Sequence, residues 1–198
     1  MGEFDLVFGE FIKHGGVLRT AELNEIGLSS RQIKRLVDNG IIRRIKHGFY
    51  EHSNYAPSED VVIARLFPKA IIFLESALFH YGYTDRVPPA WQIAVDRNSE
   101  KSLYKLDYPL VQPFFLKPEY LTIGSDKYTV DGIDIRVFNR ERTMCDVLRY
   151  ENKLETEIFR NAISNYSKDP EMNLRRLVDY GKVFNISNKL QIYLGAWL

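Results

Sequence analysis

The sequence predicts an α+β protein: a small N-terminal part of helices and short strands, then a mixed α/β part with a helical C-terminal end. Three observations support this class. Residues 1–52 change between helical periodicity and short apolar pieces, residues 127–138 alternate as a hairpin does, and four helical runs follow from Glu141. Strands that come before helices, rather than between them, are typical of α+β proteins. We therefore predict two domains, 1–52 and 58–198, joined by the polar linker HSNYAPS.

The first helix and strand follow from residue spacing. Apolar side chains recur at helical spacing in Phe4, Val7, Phe8, Phe11 and Ile12, and the segment HGG at 14–16 ends the run. Val17-Leu18 predicts a short extended piece. Thr20 is expected to cap a second helix, AELNEI, which ends at Gly27, since glycine is favoured just after a helix C-terminus.

Ser29 and Gln32 form a capping-box pattern that predicts the start of a third helix. Its apolar face consists of Ile33, Leu36 and Val37. Asn39-Gly40 ends the helix, and the segments IIRRI and FYE, joined by KHG, predict a β-hairpin. Helix, strand, helix, tight turn, helix and hairpin is the element order of a winged helix-turn-helix, the fold that we predict for residues 1–52.

The larger part begins with a helix opened by Ser58 and ended before Pro68. A buried strand AIIFL, a short helix ESALFHYG closed by Gly82, and the strands WQIAV and VQPFFL follow. The hairpin KYTVDGIDIRVF has Asp131-Gly132 at its centre, which suits a type I′ turn. Four helical segments complete the chain: ERTMCDVLRY, LETEIFRNAISNYS, EMNLRRLVDYGKVF and SNKLQIYLGAWL.

Charge is distributed unevenly, although the chain of 198 residues has a formal net charge of only +1. Residues 1–28 sum to −3, residues 29–48 to +5, and the residues after 52 to zero. The positive surplus consists of Arg31, Lys34, Arg35, Arg43, Arg44 and Lys46, opposed only by Asp38. Such local asymmetry is more informative about partners than the total charge.

The basic residues suit contact with double-stranded DNA. In a helix-turn-helix the recognition helix enters the major groove, and its N-terminal residues reach base edges. Ser30, Arg31 and Lys34 are placed for that contact, and a bidentate arginine–guanine pair gives ~1–3 kcal/mol of discrimination. The hairpin residues are expected to meet phosphate or the minor groove. The predicted DNA-binding set is Ser29, Ser30, Arg31, Lys34, Arg35, Arg43, Arg44, Lys46 and His47.

The alternative is that these charges form only the solvated face of an amphipathic helix. A solvated face usually mixes charges of both signs, whereas here one acid stands among six bases. The capping and turn residues and the hairpin that follows the helix also favour DNA contact over this alternative.

The sequence gives little support for an enzyme. The four histidines form no H-x-E or H-E-x-x-H pattern, and G-x-S-x-G, P-loop and G-x-G-x-x-G patterns are absent. The nearest carboxylates for nucleotidyl transfer are GSD at 124–126 with Asp131 and Asp134, which are better explained as turn and outward strand positions. Cys145, the single cysteine, is expected to be a small buried side chain and excludes an internal disulfide. We expect no catalysis, no cofactor and no metal.

The sequence also lacks membrane features. The longest apolar run is AIIFL at 70–74, well short of the roughly 18–20 apolar residues that a membrane span needs. The N-terminal segment MGEFDLVFGEF is acidic and differs from a secretory signal. We therefore expect a cytoplasmic protein with no membrane partner.

The segment FHYGYTDRVPPAW at 79–91 is rich in aromatic residues and contains Asp85 and Arg86. One interpretation is a loop at the edge of a core, in which Tyr and Trp pack with their polar ends in water. The other is a surface that binds a partner or makes further DNA contacts.

Three segments carry a resemblance to a known family. GGVLRTAELNEIGLSSRQIKRLVDNGIIRRIKHGFYE resembles the N-terminal domain of AbiEi antitoxins, from bacterial abortive-infection (type IV) toxin–antitoxin systems. ESALFHYGYTDRVPPAWQIAVDR and VDGIDIRVFNRERTMCDVLRY are similar to later parts of the same family. The SSRQIKRLVDNGIIRRIKHGFY segment is the most specific, because turn, helix and hairpin align without a gap.

The resemblance implies a transcriptional repressor and antitoxin that binds inverted repeats in its own promoter. It also implies a functional partner, a nucleotidyltransferase toxin of the AbiEii type, without a stable complex between the two. The family's basic recognition residues correspond to Arg31, Lys34 and Arg35 in the helix and to Arg43, Arg44 and Lys46 in the hairpin. Two other function classes stay open: a phage-defence enzyme with an N-terminal targeting module, and a ligand-sensing regulator with a small molecule beneath the 79–91 loop.

Overall fold

The structure, a computed structural model, describes residues 3–197 and the side chains of 6–197. The predicted domain limits 1 and 198 and the side chain of Phe4 lie outside the described residues. The helices are α1 (Glu3–Lys13), α2 (Thr20–Glu25), α3 (Ser30–Asp38), α4 (Glu59–Leu66), α5 (Leu74–His80), α6 (Pro118–Thr122), α7 (Arg140–Arg149), α8 (Thr156–Tyr166), α9 (Leu174–Val183) and α10 (Ser187–Leu194). The strands are β1 (Val17–Arg19), β2 (Ile42–Lys46), β3 (Phe49–His52), β4 (Ile71–Ile72), β5 (Trp91–Asp96), β6 (Val111–Leu116), β7 (Ser125–Val130) and β8 (Ile133–Phe138). Lys101–Tyr104 and Glu151–Lys153 form 3-10 turns.

The chain is a mixed α+β protein whose contacts divide it into two compact units. The first unit contains the residues up to Lys69 together with Lys105–Leu110 and Tyr128–Ile135. The second contains Ala70–Tyr104, Val111–Lys127 and the residues from Arg136 onward. The predicted boundary between residues 52 and 58 stays a prediction, and it falls inside the first unit.

The first unit has the predicted order of helix, strand, helix, helix and two strands. Strand β3 lies between β1 and β2 and runs antiparallel to both, with Val17 opposite Glu51 and Ile42 opposite His52. Buried apolar side chains of the described residues join α1, α2 and α3 to the sheet: Val7, Phe11, Leu18, Leu23, Leu28, Ile33, Leu36 and Ile42. Burial of this apolar surface is the main stabilising contribution to such a unit.

The prediction that Thr20 caps α2 is wrong. Arg19 takes the capping position at the end of β1, and its backbone N–H donates to Glu22 Oε2 at 2.7 Å. Thr20 is instead the first residue of the helix, and its N–H donates to the Gly48 carbonyl at 2.9 Å. Because Glu22 supplies an acceptor to the residue before the helix, the helix starts one residue earlier than predicted.

The five-stranded sheet has the order β6-β5-β4-β8-β7. Strand β4 is antiparallel to β5 and parallel to β8, while β5 and β6 are parallel. The predicted strand AIIFL is reduced to Ile71–Ile72, because Phe73 already caps α5. The predicted turn at Asp131-Gly132 is confirmed, since both residues have positive φ values, 51° and 78°.

Helix α7 places charged groups inside the second unit. Arg142 and Asp146 are fully buried, and Arg142 Nε donates to Asp146 Oδ2 at 2.7 Å. The guanidinium also donates to the carbonyls of Tyr120 and Ile123 at 2.6 and 2.8 Å. Two aromatic rings lie against it: its carbon is 4.1 Å from the ring centre of Phe138 and 4.3 Å from that of Phe184. The ERTMCDVLRY segment therefore contributes a buried ion pair to the core, which the sequence analysis did not identify.

Among residues 3–197, the structure contains no helix that is both long enough and apolar enough to cross a membrane.

Candidate nucleic-acid interface

The start of α3 is fixed by a reciprocal cap. The Ser29 hydroxyl oxygen accepts the Gln32 N–H at 3.4 Å, and Gln32 Oε1 accepts the Ser29 N–H at 3.0 Å. The Ser29 hydroxyl also donates to the same Oε1 at 2.7 Å. The predicted capping box is confirmed, and it leaves Ser30 and Arg31 exposed on the first turn.

The turn between α2 and α3 is held by backbone hydrogen bonds and one apolar anchor. The Gly27 N–H donates to the Asn24 carbonyl at 2.9 Å, and the Leu28 N–H donates to the Leu23 carbonyl at 3.1 Å. Gly27 has a φ of 90°, which side chains rarely adopt, so the predicted glycine position is confirmed. Leu28 is buried in the core, and the direction of α3 relative to α2 is thereby fixed.

Three basic side chains lie on the outer face of α3. Ile33 and Leu36 point into the core, whereas Arg31, Lys34 and Arg35 are all exposed. Within the described part of the chain, none of these three side chains forms an ion pair or a hydrogen bond. We call Arg31, Lys34 and Arg35 the helix triad. Since no ion pair among the described residues neutralises the positive charge of the helix triad, this charge can act on an external anion.

The β2–β3 hairpin follows α3 directly. Its turn lies at His47-Gly48, where Gly48 has a φ of 79° and its carbonyl accepts the Thr20 N–H. The pairing of β2 with β3 is irregular between Arg44 and Lys46, so one residue is extra on the β2 side. Because of this extra residue, Lys46 does not lie on the side of the hairpin that regular alternation would give it.

The predicted hairpin bases therefore have different environments. Arg43 is paired with Glu51, its cross-strand neighbour, with Nε donating to Oε1 at 2.6 Å. Lys46 is half-buried, its Nζ lies 4.8 Å from the ring centre of Phe67, and burial lowers its pKa. Arg44 and His47 are exposed and form no ion pair within the described residues. Arg44 is thus the basic residue of the hairpin that is most available to phosphate.

The carboxylates considered for nucleotidyl transfer lie on the β7–β8 hairpin. Asp131 lies in the hairpin turn, and exposed Asp134 accepts a hydrogen bond from Thr129 Oγ1 at 2.8 Å. Cys145 is fully buried, and burial raises the pKa of its thiol, so the prediction of a small buried side chain is confirmed.

The 79–91 segment is partly built into the core of the second unit. Tyr83 and Thr84 are buried, and the Tyr83 hydroxyl donates to Asp169. The Asn165 side chain donates to the Tyr83 carbonyl at 3.2 Å. These contacts fit the interpretation as a loop at the edge of a core, while Val87 remains 68% exposed.

The ion pair of Arg65 and Glu22 joins α4 to α2 and was not predicted from the sequence. Arg65 Nη2 lies 2.6 Å from Glu22 Oε2, and both side chains are largely buried. The two residues are 43 positions apart, so no local pattern could have paired them. An arginine in the last turn of a helix and an acid in the first turn of another were the only available signals.

The N-terminal segment is similar to a known protein family. Residues 6–51 match the model of a family described as "Transcriptional regulator, AbiEi antitoxin". The match covers α3 and the β2–β3 hairpin except its last residue, and it confirms the resemblance to AbiEi antitoxins over this segment. The family consists of transcriptional regulators. No curated protein sequence matches the chain significantly.

A solved structure is similar over almost the whole chain. The crystal structure of the RV2827C protein from Mycobacterium tuberculosis superimposes with a TM-score of 0.51 and 13% sequence identity. The match covers 98% of this chain and 82% of that chain. At this identity the similarity shows a shared fold alone.

Proposed function

We propose that this protein is a DNA-binding transcriptional repressor and antitoxin of a type IV toxin–antitoxin operon, which acts in abortive infection by phage. It binds inverted repeats in its own promoter and counters a nucleotidyltransferase toxin. The observation that supports this most strongly is the helix triad. Three exposed basic side chains, with no ion-pair partner in the described part of the chain, lie on a capped helix inside the segment that matches a family of transcriptional regulators.

In this proposal the predicted domain of residues 1–52 acts as a winged helix-turn-helix and α3 enters the major groove. Ser30, Arg31 and Lys34 lie on its first turns and reach base edges, while Arg35 lies one turn further along. The capping box keeps Ser29 at the helix terminus, where backbone N–H groups favour an anionic phosphate. Base contacts by the arginines would select the site.

The β2–β3 hairpin acts as the wing. Arg44 and His47 are exposed there and would contact phosphate or the minor groove. Arg43 would contribute less than Arg44, because Glu51 already neutralises part of its charge. Lys46 would contribute to the structure of the wing rather than to the DNA contact.

Repression follows from occupying the promoter, and it needs no chemical step. Two copies on an inverted repeat would place two α3 helices in successive major grooves. The protein would act in the bacterial cytoplasm, where its operon lies. The match to a family of AbiEi antitoxins supports the proposed antitoxin activity. This activity does not require a stable complex with the toxin.

Footprinting on the DNA upstream of its own gene tests the repressor. We expect two protected half-sites related by inverted symmetry, with protection that weakens steeply as salt concentration rises. Protection of coding DNA and upstream DNA alike, without a preferred site, would contradict the proposal.

Co-expression tests the antitoxin separately. A neighbouring gene for a nucleotidyltransferase should arrest growth when it is expressed alone, and this protein should restore growth. Unrelieved growth arrest would contradict the antitoxin activity and leave the repressor unaffected.

A further inference from the structure

Helix α4 lies outside the segment that matches the regulator family, yet it contacts the elements that hold α3. Arg65, in the last turn of α4, is 16% exposed at its side chain. Its Nη2 contacts Glu22 Oε2 on α2 at 2.6 Å, and its Nε donates to the Val17 carbonyl on β1 at 3.1 Å. One guanidinium therefore joins three elements of the first unit.

Glu22 is ionised in this arrangement. Burial by itself raises its pKa, but hydrogen bonds from the Arg19 N–H and from the Arg65 and Arg19 guanidinium groups outweigh burial and lower the pKa to about 2. Arg65 and Glu22 thus form a pair of opposite charges that is largely shielded from water. Such a pair has a defined geometry because an arginine can direct separate N–H groups to a carboxylate and a carbonyl at once.

The end of α4 makes a second contact with the frame of α3. The Phe67 ring, which follows α4, lies under Lys46 of β2 at 4.8 Å. Helix α3 is joined to α2 by the turn at Gly27 and Leu28, and to β2 by the turn at Gly40. Helix α2, which precedes α3, is therefore in contact with α4, and β2, which follows α3, is in contact with the residue after α4.

We infer that Arg65 is a positioning residue for DNA recognition, which orients α2 and with it the N-terminal turn of α3. The inference rests on the proposed function, since it concerns how the helix triad is aimed at base edges. The unit that reads DNA then extends beyond residue 51 to the end of α4. Arg65 is largely buried and its guanidinium is directed at Glu22 and Val17, so its removal should affect sequence discrimination and leave phosphate contacts in place.

The test compares full-length variants on two duplexes. One duplex is selected by the wild-type protein from a random library, and the other is an unrelated sequence of the same length. The variants are Arg65→Met, which keeps the stem and removes the charge, and Arg65→Lys, which keeps the charge but lacks the planar fork. Arg160→Met on α8 is the matched control, because Arg160 is exposed and forms no ion pair among the described residues.

We expect Arg65→Met to weaken binding to the selected duplex by about tenfold, as for a lost base contact. Its affinity for the unrelated duplex and the salt dependence of that affinity should equal those of the wild type, because both report phosphate contacts. The affinity of Arg65→Lys for the selected duplex should lie between those of the wild type and Arg65→Met. Arg160→Met should match the wild type on both duplexes.

A Glu22→Gln variant keeps the test decisive if Arg65→Met does not fold. It retains the bond from Arg65 to the Val17 carbonyl and should lose discrimination in the same direction. Wild-type discrimination in both Arg65→Met and Glu22→Gln would overturn the inference, as would an equal loss of affinity for both duplexes. If the wild-type protein selects no sequence at all, the proposed function is wrong and the inference is overturned with it.

Discussion

Glu22 shows how one residue can link charge to stability in the first unit. Its carboxylate is largely buried and accepts hydrogen bonds from Arg19 and Arg65. Burial alone would raise the pKa of Glu22 above its ordinary value of 4.5. The hydrogen bonds have a larger and opposite effect, and the pKa falls to about 2. The Glu22 carboxyl group therefore binds a proton less tightly in the native state than in the unfolded state.

The sign of the pH dependence follows from this difference. Because the native pKa is depressed, the contribution of Glu22 is fully present above pH 4.5 and is lost as pH falls from 4.5 to about 2. The loss amounts to about 3 kcal/mol at most. Urea unfolding at a series of pH values should show a steeper loss of stability for the wild type than for Glu22→Gln over this range. Parallel curves for the two proteins would contradict the prediction.

Arg142 gives a second prediction at this scale. Replacing it with methionine leaves Asp146 buried with only Arg149, which donates at 2.8 Å, as a charged partner. We expect the free energy of unfolding to fall by about 3–5 kcal/mol. Urea unfolding measures this, with the exposed Arg160→Met as a control that should stay within about 0.5 kcal/mol of the wild type. A change below about 1 kcal/mol in Arg142→Met would show that the buried pair is not required.

At the scale of elements, α3 and the wing have separate tasks. The helix triad is exposed and unpaired within the described residues, whereas the wing bases differ in their partners. The difference arises from the hairpin register, which places Arg43 opposite Glu51, and from the irregularity before Lys46.

This difference makes the wing testable by single substitutions. Arg44→Ala should reduce the slope of log affinity against log salt by about one unit, the value for one lost phosphate contact. Arg43→Ala is the matched control, because it lies on the same strand and is already paired with Glu51. Its slope should change by less. Equal changes of the salt slope in Arg44→Ala and Arg43→Ala would show that pairing with Glu51 does not keep Arg43 from contacting DNA.

Local chemistry explains which elements could be predicted from sequence. The capping box at Ser29 and Gln32 and the glycine turns at Gly27 and Gly132 depend on residues within a few positions of one another. All of them were predicted from the sequence. The predictions were wrong at Thr20, because Glu22 accepts the Arg19 N–H and the helix is capped one residue earlier, and at the length of β4, because Phe73 already caps α5.

Contacts between distant residues could not be predicted in this way. The parallel pairing of β4 with β8 joins Ile72 to Val137, and the pairing of α4 with α2 joins Arg65 to Glu22. The helix triad was predicted correctly as an exposed face, because helical periodicity alone determines it. The different environments of the basic residues in the wing were not predicted, since the alternation of side chains along a strand cannot reveal an extra residue in β2.

At the scale of the whole molecule, charge is concentrated where the proposed DNA contacts lie. Residues 29–48 carry a net charge of +5, while the residues after 52 sum to zero. The salt dependence of binding should therefore come mainly from α3 and the wing. Substitution of exposed bases elsewhere, such as Arg160 on α8, should leave the slope unchanged.

The helix triad is the most direct test of the proposed function. The measurement is a gel-shift titration of the wild type and of the triple variant Arg31→Ala, Lys34→Ala, Arg35→Ala on the promoter duplex and on an unrelated duplex. The three side chains lie on the exposed face, so circular dichroism should show an intact fold in both proteins. We predict that the wild type prefers its promoter and that the triple variant loses this preference. A triple variant that is folded and still prefers the promoter would contradict the assignment of α3 as the recognition helix.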